Sequence, residues 1–201
     1  MTETVTNPIA AVKKQLKELA ARPFKATYKV PALWVETGCQ PEDGKTAVAV
    51  HPGEFYLKHI EAIEKHARND IDPLKSLNQQ LPGGDGGNWI NREAIYNIFV
   101  RLTAAYDHNG DGKLGGGNKD LTLNADGVRE SGTFLKAIAM LGYIKALGCT
   151  TIHLLPVTAI GHDGNKGELG SPYAIRNPYK LEETQADPLL SLGVEDQFRA
   201  F

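Results

Sequence analysis

Cysteine is nearly absent from this chain: Cys39 and Cys149 are the two in 201 residues, too few and too far apart for a disulfide framework or a metal cluster. Cys149 follows Gly148 just before an apolar run, which predicts a buried free thiol. Long apolar stretches are also missing, and none approaches the ~20 residues a membrane-spanning helix requires. The opening MTETVTNPIAAVKK lacks the basic-then-apolar order of a secretory signal. The expectation is a soluble, cytoplasmic protein. An excess of one charge is absent too: a formal net charge of -2 offers no basic face for a phosphate backbone, so nucleic acid is not an expected partner. Gly115-Gly116-Gly117 has neither the Walker lysine-serine pair nor the dinucleotide pattern, which argues against a nucleotide-binding domain.

What is present suits an ordinary globular core, with 41% hydrophobic and 23% charged residues. Ile9, Val12, Leu16 and Leu19 recur at helical spacing, with Asn7 as a cap and Pro8 at the first helical position, predicting an amphipathic helix over 8–21. Extended runs at 26–30 and 46–50 predict short strands. A second helix is expected from Glu54 to about Arg68, with Phe55, Ile60 and Ile63 inward. On it, His59 and His66 read as surface histidines, because ligands on one helix more often stand three or four apart.

The cluster Leu81-Pro-Gly-Gly-Asp-Gly-Gly-Asn88 marks a boundary. It divides an α+β N-terminal extension over 1–90 from a second unit over 91–201. In the second unit, Ala94 to Val100 predicts a mostly buried strand, and a polar loop follows from Asp107 to about Glu130. Ser131 is the expected cap of a helix whose stripe is Phe134, Leu135, Ile138, Leu141, Ile144 and Leu147, with Gly148 as terminator. A strand Thr151 to Leu155 comes next, then a loop of roughly 35 residues and a helix from Val194. Strand, helix and strand joined this tightly predict a parallel pair whose two faces are both covered.

Asp107-His-Asn109-Gly-Asp111-Gly-Lys113 sets oxygen side chains at alternate residues, with glycines for the sharp turn, the pattern by which a short loop wraps Ca²⁺. Asp107, Asn109 and Asp111 are the candidate metal ligands, with Asp120 as a further one. As an EF-hand the loop fails, since Gly115 stands at position nine and Asn118 at position twelve, where a bidentate Glu is needed.

Leu141-Gly-Tyr-Ile-Lys-Ala-Leu-Gly148-Cys-Thr-Thr-Ile152-His-Leu-Leu-Pro156-Val157 resembles the "YLKxLGVTxIxLLPI" run of the α-amylase superfamily, glycoside hydrolase family 13. In the same order, Ile95 to Arg101 resembles that family's first barrel strand and Asp107 to Lys113 its "DSNGDGIGD" calcium loop. Gly170 to Asn177 resembles its "GYDIxDY" stretch, and Glu195 to Phe198 the start of its second helix. Ile160 to Ile175 is locally similar to the "IGxxxxKG…GSPYAI" loop of maltosyltransferases that use maltose 1-phosphate. The resemblance covers about 92–201 and implies an α/β fold: the first two strand-helix units of a (β/α)8 TIM-type barrel, with the remainder of the barrel supplied elsewhere.

It further implies an α-glucan or malto-oligosaccharide substrate, structural Ca²⁺, and Lys166 and Tyr173 facing the donor-sugar pocket. Loops at the C-terminal ends of barrel strands build the active site, and a tyrosine ring stacks on a glucose face. Enzymes of this superfamily use an Asp nucleophile and a Glu acid/base on the fourth and fifth strands. No catalytic residue is therefore assigned here, and Glu182, Glu183 and Asp187 read as solvated loop charges. The other reading is a non-catalytic Ca²⁺- or carbohydrate-binding α/β domain.

Overall fold

The computed structural model describes residues 7–35, 46–69, 93–116, 121–165, 167 and 169–201. Helix α1 spans Pro8–Ala20, and the Asn7 side chain accepts from the Ala10 amide at 3.1 Å, satisfying one of the donors that a helix start leaves free. Val12, Leu16 and Leu19 form its buried stripe. Strand β1 (Lys29–Pro31) leads into a single helical turn, α2 (Ala32–Val35), and pairs antiparallel with β2 (Ala47–Ala49). Helix α3 (Pro52–Asn69) begins two residues before its expected start, because Pro52 suits the first helical position. At its N-terminal end a Cβ on Gly53 would lie 2.6 Å from the Ala20 amide nitrogen, so glycine lets α3 close on the end of α1.

His59 corrects the expectation of a surface histidine. It is half-buried, with Nδ1 2.8 Å from the Phe55 carbonyl and Nε2 2.7 Å from the Trp34 carbonyl, and so ties α3 to α2. The side chain of His66, Cys39 and the expected boundary at 81–88 lie outside the described residues.

Strand β3 (Ile95–Ile98) is shorter than expected, since the chain turns helical at once in α4 (Val100–Thr103). Helix α5 (Phe134–Ala146) is capped by Thr133 and not by Ser131: the Thr133 hydroxyl accepts from the Lys136 amide at 3.2 Å. Gly148, with φ +82°, ends this helix region as anticipated, while Leu147 is exposed. Strand β4 (Thr151–Leu154) lies parallel to β3, with Ile95 opposite Thr151 and Ile98 opposite Leu154.

Alternation decides the faces of this pair. Tyr96, Ile152 and Leu154 pack against the two apolar clusters, and Ile98 on the same face is fully buried. Ile95, Asn97, Thr151 and His153 share the other face, where His153 Nδ1 lies 2.6 Å from Asn97 Oδ1. Ile95 and Asn97 are exposed, so the expectation of a mostly buried strand is corrected: among the described residues only one side of the pair is covered.

The long loop after β4 holds a sheet of its own. Strands β5 (Thr158–Ile160) and β6 (Ile175–Leu181) pair antiparallel with register shifts that bulge β6 around Tyr179. A 3₁₀ turn (Glu183–Gln185) and helix α6 (Val194–Ala200) follow. Among the described residues the fold is mixed α/β, with short sheets and no closed barrel. One apolar cluster joins Val12, Leu16, Tyr28, Phe55 and Ile60 to Leu135, Ile138, Ala139 and Ile144, so segments on both sides of 70–92 share a core. Cys149 is a free thiol, half-buried at its margin. Among the described residues no helix is long and apolar enough to cross a membrane.

Candidate functional site

The loop after α4 folds back on Asp107 because two glycines take conformations that other residues avoid: Gly110 has φ +80° and Gly112 φ +83°. Asp107 Oδ1 accepts from the amides of Gly110 at 2.6 Å and Asp111 at 3.2 Å, and Oδ2 from Gly112 at 2.8 Å. Asn109 Oδ1 accepts from the Asp111 amide at 3.0 Å, its Nδ2 donates to Asp111 Oδ2 at 3.2 Å, and Asp111 Oδ1 accepts from Lys113 at 2.9 Å. The three expected ligands are thus brought together. Burial raises the Asp107 carboxyl, but the amides of Gly112, Gly110 and Asp111, with Lys29 nearby, outweigh it and hold the group below the ordinary value.

This oxygen-only set, two carboxylates and an amide carbonyl, suits a hard cation. Among the described residues His, Cys, Asp and Glu nowhere gather in a group of three that could hold a metal. Asp120 lies outside the described residues.

Glu130 is the hidden anchor of this loop. Its buried carboxylate accepts at Oε1 from the amides of His108 at 3.0 Å and Asn109 at 3.3 Å and from Asn124 Nδ2 at 2.8 Å, and at Oε2 from the Gly115 amide at 2.7 Å. One carboxylate therefore fixes both ends of the loop from below. Lys136, fully buried nearby, donates to the carbonyls of Arg129 and Ser131. Burial lowers its ammonium to about 8, with Asp187 and Glu130 opposing that shift.

His108 stacks on Tyr28 with ring centroids 4.1 Å apart and donates from Nδ1 to the Lys29 carbonyl at 2.6 Å. Burial, with Lys136 adding to it, pushes its pKa down to about 3. A histidine depressed in the fold binds its proton only after unfolding between about pH 3 and 6.5, so its contribution is complete above pH 6.5 and is lost as pH falls. Acidifying from pH 7 to pH 5 is expected to cost up to about 2 kcal/mol through this residue. Urea unfolding of the native chain and H108Q at pH 7, 6 and 5 checks this, and equal pH slopes in the two would remove His108 as the source.

The second group of interest lies beyond β4. Tyr173 is 67% exposed, and its amide donates to Ser171 Oγ at 3.3 Å. Lys166 lies outside the described residues. Tyr179, on the bulge of β6, is 95% exposed and held by its amide on Asn177 Oδ1 at 2.9 Å. No family model matches this chain, and no curated protein matches it.

Two of the acids read as solvated are buried and bonded, which corrects that expectation. Glu182 accepts from the Ile160 amide at 3.1 Å and the Thr184 hydroxyl at 3.0 Å. Asp187 accepts from the Thr133 hydroxyl at 2.9 Å and the Leu189 amide at 3.1 Å, while Glu183 is exposed as expected. Arg101 was also missed: its guanidinium donates to the carbonyls of Leu169 at 2.7 Å and Gly170 at 2.8 Å. An isolated charge in a loop or at a strand end carries no local sign that distant chain will bury it. A charged residue within an apolar helical stripe, such as Lys136, is the nearest to a legible signal.

Proposed function

We propose that this chain forms the first strand-helix units of a (β/α)8 enzyme of α-amylase type acting on α-linked glucans, as a glycosidase or a glucan glycosyltransferase. The observation that carries the reading is the parallel, in-register pair β3–β4, joined through α5 and, among the described residues, covered on one face alone. In a closed barrel the uncovered face, with Ile95, Asn97 and His153, would line the interior, and further strands would fill both open edges. The Asp nucleophile and Glu acid/base would come from later strands, one attacking the sugar carbon while the other protonates the leaving oxygen.

In this reading Tyr173 offers an apolar ring face to a glucose unit, and Tyr179 supplies a second exposed ring on the same hairpin. Asp107, Asn109 and Asp111 would hold Ca²⁺, whose charge would stiffen the loop; the part of the chain itself is to keep those oxygens turned together from below through Glu130.

The test is twofold. The protein encoded by the complete reading frame is expected to release or transfer α-1,4-linked glucose units. Millimolar Ca²⁺ is expected to raise the melting midpoint of the chain, by the amount that binding to the folded state alone confers, and D107N to abolish the rise. A folded chain that binds Ca²⁺ or maltoheptaose, from a reading frame whose full product never turns glucan over, would replace the enzyme reading with the non-catalytic binding domain. Absence of turnover, of glucan binding and of Ca²⁺ binding together would defeat both.

A further inference from the structure

A buried cation in a small domain needs an explanation, because removing it from water is expensive unless its donors are used. Arg101 is 8% exposed and stands in the helical turn immediately after β3. Its two terminal NH groups go to successive backbone carbonyls, Leu169 and Gly170, nearly 70 residues along the chain. The planar fork of a guanidinium suits such a pair of acceptors, whereas an ammonium is a single point charge. Its charge also feels the Glu182 carboxylate, which itself grips the Ile160 amide where β5 ends.

The segment so held is short. Gly170 has φ +63° and lies against Asn165, whose Oδ1 would be 2.8 Å from an added Cβ. Four residues later, the Ala174 carbonyl accepts from the Gly161 amide at 2.8 Å, and the Ala174 amide donates to Ser171 at 3.0 Å. Only Ser171, Pro172 and Tyr173 lie between these two fixed points, and Pro172 has its φ set by its own ring. Fixing Gly170 and Ala174 therefore fixes the base of the exposed Tyr173 ring.

We propose that Arg101 is a positioning residue: it holds the 169–174 segment and so sets the pose in which Tyr173 meets a sugar. The sugar half of this statement rests on the glucan reading above. Arg101 touches no substrate; it acts through Tyr173.

The experiment pairs hydrogen exchange with a double-mutant cycle on the full chain, using maltoheptaose as the probe. In R101M the amides of Gly161 and Ala174 are expected to exchange about tenfold faster or more, the scale set by losing charge-assisted hydrogen bonds, while cooperative melting is retained. Affinity for maltoheptaose is expected to fall by about tenfold in R101M, but to change little when the same substitution is made in Y173A, because the two residues act as a unit. R101K, which keeps the charge without the fork, is expected to fall between the two and carries the test if R101M does not fold. Unchanged exchange at Gly161 and Ala174 would overturn the proposal even if glucan binds, and so would an equal loss of affinity in the Y173A background. If exchange rises but the native chain binds no maltoheptaose, the glucan reading fails, and the sugar-positioning role fails with it.

Discussion

Replacing Glu130 by alanine is expected to destabilise the chain by about 4 kcal/mol, the scale seen when a buried charged group is taken from its partners. Four donors converge on this carboxylate: the amides of His108, Asn109 and Gly115 and the side-chain amide of Asn124. In E130A all of them lose their acceptor, and each orphaned buried donor carries a desolvation cost of about 1–3 kcal/mol unless water enters to replace it. E130Q keeps the shape but turns one acceptor oxygen into a donor that faces other donors, and is expected to cost about half as much. Urea unfolding at pH 7 measures both. A loss below about 1 kcal/mol in E130A would mean that water satisfies the loop as well as the carboxylate does. Because Glu130 also holds Asp107 and its neighbours together, the same two variants are expected to weaken any response of the melting midpoint to Ca²⁺.

Gly132→Ala is expected to cost about 3 kcal/mol or more, through overpacking that cannot be relieved by a rotamer change. A Cβ at this position would lie 1.7 Å from the Val100 carbonyl oxygen and 2.8 Å from its carbon, and both obstacles are backbone. The Gly132 amide meanwhile donates to the Arg101 carbonyl at 2.8 Å, so the chain entering α5 runs directly against the turn leaving β3. Pushing the two apart would disturb Val100 and Phe134, which share a cluster, and the seat of Arg101. Gly127→Ala is the control. Gly127 has φ +76° with nothing within 4 Å of an added Cβ, so its cost is backbone strain alone, about 1–2 kcal/mol. Equal melting curves for the two variants would show that the backbone at Gly132 moves aside freely.

These residues mark the boundary of what local pattern reveals. Helices α1, α3 and α5 were legible because each carries its apolar stripe at helical spacing within its own segment, and the pairing of β3 with β4 followed from the tight strand-helix-strand order. The Asp107 loop was legible for the same reason, since its glycines and oxygen side chains alternate within seven residues. The hairpin β5–β6 was hidden inside an expected loop because its first strand has three residues and its second is interrupted by Pro178 and a bulge. Ser131 was expected as the α5 cap, yet Thr133 takes that place and Ser131 instead offers its carbonyl to Lys136. Both hydroxyl residues satisfy the capping rule, and the Thr133 hydroxyl is the one that also bonds to distant Asp187.

Composition and periodicity thus determined by themselves that the chain makes a mixed α/β core, where its main helices run and which loop gathers oxygen side chains. Those properties depend on residues close together along the chain. Only the tertiary structure decided that Glu130, Lys136, Arg101, Glu182 and Asp187 are interior and bonded, and that Ile95 and Tyr173 face outward. The reason is physical: a charge is buried when chain from elsewhere surrounds it and supplies its partners. The two carbonyls that hold Arg101 and the Thr133 hydroxyl that holds Asp187 lie 54 to 69 residues away, a distance that no local spacing encodes.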